Sequence, residues 1–169
     1  MDDRRYPIGK FTFPQALDDE ERRTLIDAIA ATPARLREAV AGLDDERLDA
    51  RYRPGGWTAR QVVHHLPDSH LNAYVRCKLA LTEDVPTIRT YDEAAWAELP
   101  GSRAPIDVSL DLLDAVHRRW VLLLRSLGPD DWARTLRHPD HARPLSLDDV
   151  LALYAWHGRH HVAHVGLVR

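Results

Sequence analysis

Hydrophobic positions recur at helical spacing along most of the chain and divide it into four long segments. In the first, Leu25, Ile26 and Ile29 define a buried face behind the acidic start Asp18-Asp19-Glu20-Glu21, the kind of first turn that favours a helix N-terminus. Thr32-Pro33 reads as a cap followed by a first-turn proline, so the segment kinks or restarts there and runs on through Leu36 and Val40 to Gly42. In the second, Thr58 and Gln61 make a capping box, and Ala59, Val62, Val63, Leu66, Ala73, Cys77 and Leu81 give the apolar face. Pro67 lies inside this segment. It lacks an N–H and crowds the carbonyl four residues back, which predicts a kink. The third runs from about Ser109 to Leu127, with Leu110, Leu113, Val116, Trp120, Leu123 and Leu124 on its stripe and Gly128-Pro129 as its stop. The fourth starts at Ser146, with Asp148 and Asp149 in its first turn. At about 100° per residue, Leu147, Val150, Leu151, Tyr154, Val162, Val165 and Val168 share one face.

The connections are long. Residues 43–56 hold a short turn at Asp44–Leu48. Residues 83–108 contain Pro86, Pro100 and Pro105 around a short helix from Tyr91 to Leu99. A connection of that length in a compact domain usually covers something. Residues 129–145 carry His138-Pro139-Asp140-His141, which reads as a solvated turn. Residues 1–17, with Pro7, Gly9 and Pro14, form an extended arm that Tyr6, Phe11 and Phe13 can pin to the body. No run alternates in the manner of a strand. The expectation is one all-α domain over residues 1–169, a four-helix bundle.

Composition narrows the function classes. A chain of 169 residues is long enough for a real core. A net charge of −3 gives no basic field, which argues against nucleic acid and anionic membrane as partners. Cys77 is the only cysteine, so no internal disulfide forms and a reducing compartment is suited. The start leads into no apolar leader, and nothing approaches the roughly 18 apolar residues of a membrane helix. Cytoplasmic localisation is the expectation.

Candidate chemistry lies in the histidines. Four of the ten fall between Trp156 and His164. His157/His161 and His160/His164 both have the i, i+4 spacing that lets imidazoles converge on one ion. His161 falls inside the apolar stripe and His157 at its edge, whereas His160 points away, so the pair His157/His161 faces the bundle. Two ligands do not make a site. The second segment offers His64, His65 and His70 as a third. His70 lies in the stripe, and His65 lies roughly 110° from its centre, on a row of short polar groups that includes Gln61, Asp68, Ser69 and Asn72. Periodicity leaves His65 and His70 both open.

Tyr6-Pro7-Ile8-Gly9, the block from Gly55-Gly56-Trp57-Thr58 to His64-His65-Leu66, Tyr91-Asp92-Glu93 with Trp96, and the terminal His157…His161 run resemble the YfiT branch of the DinB/YfiT-like superfamily. The resemblance covers essentially the whole chain. It implies a four-helix bundle holding one divalent metal on three histidines, one from the second helix eight residues after the Trp and two from the last helix. On this chain those are His65, His157 and His161. It also implies a homodimer. Three imidazoles with open positions describe a catalytic site, and imidazole ligation suits zinc or nickel.

The resemblance implies two enzyme readings. One is thiol S-transfer, in which a bacillithiol-type small thiol is conjugated to an electrophile. The other is hydrolysis by a metal-bound hydroxide. Hydrolysis usually wants a carboxylate base, and His157-Gly158-Arg159-His160-His161 lacks the glutamate of His-Glu-x-x-His. Asp68, near one turn from His65, is the substitute base on offer. The missing glutamate favours thiol transfer, with Arg60, Arg76 or Arg159 available to hold an anionic thiol. A third reading is a non-enzymatic, metal-stabilised stress-response bundle.

Overall fold

The structure, a computed structural model, describes residues 3–169. Its helices are α1 (Asp19–Val40), α2 (Asp45–Leu48), α3 (Ala59–Thr82), α4 (Glu93–Ala97), α5 (Asp107–Arg125), α6 (Pro129–Trp132) and α7 (Leu147–Gly166). The four long ones, α1, α3, α5 and α7, are the four predicted segments. Three of them open on reciprocal caps, in which Asp18 and Glu21, Thr58 and Gln61, and Ser146 and Asp149 satisfy one another's orphan N–H groups.

Two local expectations are corrected. α1 does not restart at Pro33; Pro33 and, as expected, Pro67 both sit inside continuous helices. Thr32 does not cap a new helix; its hydroxyl donates to the carbonyl of Ala28, one turn back, at 3.0 Å. Both prolines are buried, and the packing on either side holds each helix together across the missing hydrogen bond. The last connection also contains a small antiparallel ribbon, β1 (Thr135–Leu136) and β2 (Leu145–Ser146), with Leu136 opposite Leu145. Two-residue strands are too short for alternation to reveal. Both leucines are buried against the bundle.

α1 packs mainly on α5 and α7, and α3 packs mainly on the same two. α1 and α3 therefore lie on one diagonal of the bundle, and α5 and α7 on the other. Chain-consecutive helices on a diagonal cannot be joined by a tight turn, which accounts for the long connections before α3 and before α7. The arm begins with a 3-10 turn at Asp3–Arg5 and then runs extended. Phe11 meets Trp156 with ring centroids 5.7 Å apart, and Phe13 meets His141 at 5.5 Å, so the arm is fastened across α7 and the loop before it.

The core is split in two. One apolar half gathers Ile26, Ile29, Ala73, Cys77, Trp120, Leu124 and Leu151; the other gathers Leu36, Val62, Leu66, Leu113 and Val165. On every long helix a polar or small residue separates the halves: Thr32 on α1, His70 on α3, His117 on α5, and His157-Gly158 on α7. A layer of buried polar groups crosses the bundle at one level. Among the described residues, no helix is long and apolar enough to cross a membrane.

Candidate metal centre

That polar layer is built by helix spacing. His157 and His161 are one turn apart on α7, and His65 faces them from α3. One ligand atom from each of the three lies within 4.8 Å of the others, the only such grouping of His, Cys, Asp or Glu among the described residues. Nε2 of His65 is 3.3 Å from Nε2 of His157. Nitrogens about 2.0–2.1 Å from a tetrahedral ion are separated by roughly 3.3 Å, so this pair already has the spacing of two ligands on one cation.

The hydrogen bonds behind the ligands set their tautomers. Nδ1–H of His117 donates to the carbonyl of Ile29 at 2.7 Å, so Nε2 of His117 is an acceptor. It receives Nδ1–H of His70 at 2.8 Å, and Nε2 of His70 in turn receives Nδ1–H of His157 at 3.0 Å. The chain ends with the Nε2 lone pair of His157 aimed at His65. A shorter chain backs His161. Nε2–H of His164 donates to the carbonyl of Arg5 at 3.3 Å, and Nδ1 of His164 accepts from Nδ1–H of His161 at 3.4 Å. Both assignments follow from the fixed polarity of a backbone carbonyl, which only accepts.

Burial keeps these rings neutral. It pushes His65 and His117 down to about 4. His70, His157 and His161 are held well below the ordinary imidazole value by burial first and by neighbouring imidazoles second. Neutral rings offer lone pairs without first losing a proton, which is the state a metal ligand needs. The donor set therefore fits a divalent transition-metal ion.

Other packing explains the motifs. The ring of Trp57, just ahead of α3, lies 4.8 Å from the ring of His65 and 6.4 Å from that of His161. Two helical turns of α3 separate Trp57 from His65, which is why an eight-residue spacing marks the site. At Gly158 an added Cβ would lie 2.8 Å from Oγ1 of Thr32 and 3.5 Å from the ring of His70. The glycine lets α7 approach α1 at the level of the histidine layer.

The three histidines open on a cavity of about 460 Å³, whose wall also includes Trp57, Ser69, Arg76, Tyr91, Glu93, His138 and Tyr154. The 83–108 connection thus covers the site through Tyr91 and Glu93. The His138–His141 turn lies partly over the cavity and is not simply solvated. His65 and His70, which periodicity could not separate, both belong to the layer, one facing the cavity and one behind His157. His64 does neither: its Nε2–H donates to the carbonyl of Ala104 at 3.0 Å and its Nδ1 accepts from the Ser109 hydroxyl at 2.6 Å. His160 stacks on Trp156 with centroids 4.3 Å apart and stays outside the three-ligand grouping.

Asp68 is half-buried and is not part of the cavity wall; the carboxylates that are, Glu93 and Asp140, are exposed. Burial raises the Asp68 carboxyl, with His64 acting against it. Of the three candidate arginines, Arg60 is bound to Asp45 and Asp49 and Arg159 is exposed away from the cavity, leaving Arg76 in the wall. The residues sequence reasoning missed are His117 and the backing role of His70 and His164. A histidine inside the third stripe, at the level of His70, was the available signal.

Residues 28–165 match the DinB superfamily. The chain is 52% identical to a protein of Bacillus cereus named putative metal-dependent hydrolase, over 100% of this chain and 97% of that protein. A protein of the same name from Bacillus anthracis is likewise 52% identical over the same shares. Among solved structures, the chain is similar to YfiT from Bacillus subtilis, described as a probable metal-dependent hydrolase with an unusual four-helix bundle topology. The TM-score is 0.95, the identity 45%, and the match covers 98% of this chain and 95% of that one.

Proposed function

The chain belongs to the DinB superfamily, and on that premise we propose that it is a divalent-metal enzyme. In this reading His65, His157 and His161 hold the ion, and the enzyme conjugates a bacillithiol-type small thiol to electrophiles. One observation carries the reading: among the described residues, the three neutral imidazoles form a metal-ligand grouping that includes no carboxylate.

A divalent ion supplies positive charge that lowers the pKa of a thiol or water brought against it. A thiol activated in this way needs no general base. The chain supplies the rest. The backing histidines hold the ligand rings in place, Trp57 packs against two of them, and the residues around Tyr91 screen the cavity. Cys77 is buried, and burial pushes its thiol up to about 12, so the reacting sulfur comes from the cosubstrate. In the net reaction the sulfur bonds to the electrophilic carbon, the leaving group departs with its electron pair, and the thiol proton passes to solvent.

Hydrolysis is the second reading. It is favoured by Glu93 and Asp140 in the cavity wall and by the names its relatives bear. Two assays on the metal-loaded protein separate the readings: conjugation of small thiols to a haloalkyl electrophile, and a panel of esters and amides. Thiol-dependent turnover with an inert hydrolysis panel supports the first, and the reverse result overturns it. Metal analysis tests the centre itself. His65→Ala, His157→Ala and His161→Ala are each expected to lose the ion while His160→Ala retains it. Full retention in any of the first three removes that residue from the centre.

A further inference from the structure

Two arginines of α3 are equally buried and differently served. Arg60 and Arg76 are each 8% exposed. Arg60 has two carboxylates, Asp45 and Asp49, both at 2.6 Å. Arg76 has none among the described residues. Its Nη2 donates to the carbonyl of Arg89 at 3.0 Å, and its Nη1 to the hydroxyl of Tyr154 at 3.5 Å. A guanidinium stays charged in a protein, and a buried charge without a counter-charge is costly unless something supplies one.

The surroundings of Arg76 supply donors instead. The hydroxyls of Tyr91 and Tyr154 both interact with Ser69, and both tyrosines feel Arg76. Burial pushes the Tyr91 hydroxyl up to about 12 and raises that of Tyr154, so both remain protonated. All four side chains line the cavity that holds the three histidines. Tyr154 lies one turn before His157, with ring centroids 5.6 Å apart. The cavity's own carboxylates, Glu93 and Asp140, are exposed and neither pairs with Arg76.

We propose that Arg76, with the hydroxyls of Tyr91 and Tyr154, forms a receptor for an oxyanion, a carboxylate or phosphoryl group, carried by the small molecule that reacts at the histidine centre. The proposal takes the location of that reaction from the function proposed above. Its chemistry is local: a planar guanidinium presents paired N–H groups that match the two oxygens of such an anion, and the counter-charge arrives with the ligand. The bond from Arg76 to the Arg89 carbonyl ties the covering connection to the same spot, so the oxyanion and the cover meet at one side chain.

The test uses protein stripped of metal and dialysed free of chelator, with inorganic phosphate and succinate as probes, read by calorimetry and by the NMR shift of the arginine Nε–H. Saturable binding of at least one probe is expected. Loss of the charge-assisted bonds in Arg76→Gln should weaken it about tenfold or more, and Arg76→Lys should restore part of it. Tyr91→Phe should weaken it a few-fold, while Arg60→Gln should leave it unchanged. No saturable binding by the parent protein overturns the proposal, as does equal affinity in folded Arg76→Gln. Should Arg76→Gln fail to fold, undiminished affinity in both Tyr91→Phe and Arg76→Lys overturns it instead. A second arm on metal-loaded protein compares 3-mercaptopropionate with its neutral amide. A lower KM for the acid that disappears in Arg76→Gln places the oxyanion on the thiol. Turnover of neither thiol counts against thiol transfer, while the binding result with metal-free protein still decides the receptor.

Discussion

The two ligands that α7 contributes are supported in opposite ways. Behind His157 the support runs inward, through His70 on α3 and His117 on α5, to the main chain of α1 at Ile29. All four long helices take part, and His70 and His117 are 0% and 1% exposed. Behind His161 the support runs outward, through His164, to the main chain of the arm at Arg5. His164 is closed off by Tyr52, whose ring stacks on it at 4.0 Å, but the chain ends on a surface segment. The inner chain is part of the bundle's packing, and water has no route to replace its members. The outer chain ends where water can take over from the final acceptor. One ligand of the centre is thus set by the fold, and the other by a strap laid over it.

The largest expected effect comes from breaking the inner chain. His70→Leu leaves Nδ1–H of His157 and Nε2 of His117 without partners. It should destabilise the metal-free protein by about 3 kcal/mol, as judged from unsatisfied buried groups, and lower metal affinity about 10–100-fold. Urea unfolding and competition against a chelator measure the two. An unchanged affinity in a folded His70→Leu protein would show that the chain behind His157 does not position it.

Acid should find the inner chain next. His117 is neutral when folded, with burial pushing it down to about 4, whereas the unfolded chain takes up a proton near about 6.5. The unfolded state therefore binds more protons in that window. The stability tied to this neutral ring is present above about pH 6.5 and is lost as the pH falls toward about 4, at about 1.4 kcal/mol per pH unit. In His117→Gln the slope of stability against pH between 6.5 and 4 should be shallower by that amount.

Gly158→Ala probes the contact between α1 and α7 beside the inner chain. The new methyl meets Thr32 at 2.8 Å, and overpacking of this kind costs about 1–3 kcal/mol. Thermal unfolding of the metal-free protein should record the loss, and Thr32→Ala, which removes both Oγ1 and Cγ2 of Thr32, should recover part of it when combined with Gly158→Ala. The smallest effect should come from the outer side. Removing residues before Ile8 takes away the carbonyl that accepts from His164, and solvent replaces it. Stability should fall by about 1 kcal/mol or less and metal affinity only a few-fold. A loss as large as that of His70→Leu would erase the distinction between the two chains.

Much of this was legible in the sequence because it is local. The caps at Asp18, Thr58 and Ser146 lie within three residues of their partners, and they located three of the four long helices. The i, i+4 spacing of His157 and His161 likewise follows from a single helix. What could not be read depends on neighbours. A wheel reports which face of α3 is apolar, but the cavity lies beside that face and the core beneath it. His65 and His70 therefore both looked eligible, and each turned out to face His157 from a different side. His117 lies inside the stripe of α5, but its role exists only where three other helices meet. The restart expected at Thr32-Pro33 rested on backbone chemistry alone, and the packing that carries α1 through Pro33 is tertiary. The diagonal order of the helices leaves no local trace at all.

The polar level that divides the core also fixes how the rods line up lengthwise. Hydrocarbon packs on hydrocarbon almost as well after a slide of one turn, so a uniformly greasy bundle has several near-equal alignments. Here a one-turn slide of α7 in one direction would put Val162 where Gly158 must sit beside Thr32, and in the other would put Tyr154 there and Leu153 in the place of His157, leaving Nε2 of His70 without its donor. Only one alignment satisfies every imidazole at once, so the same rings that prepare the centre also act as the notch that sets the helices in register.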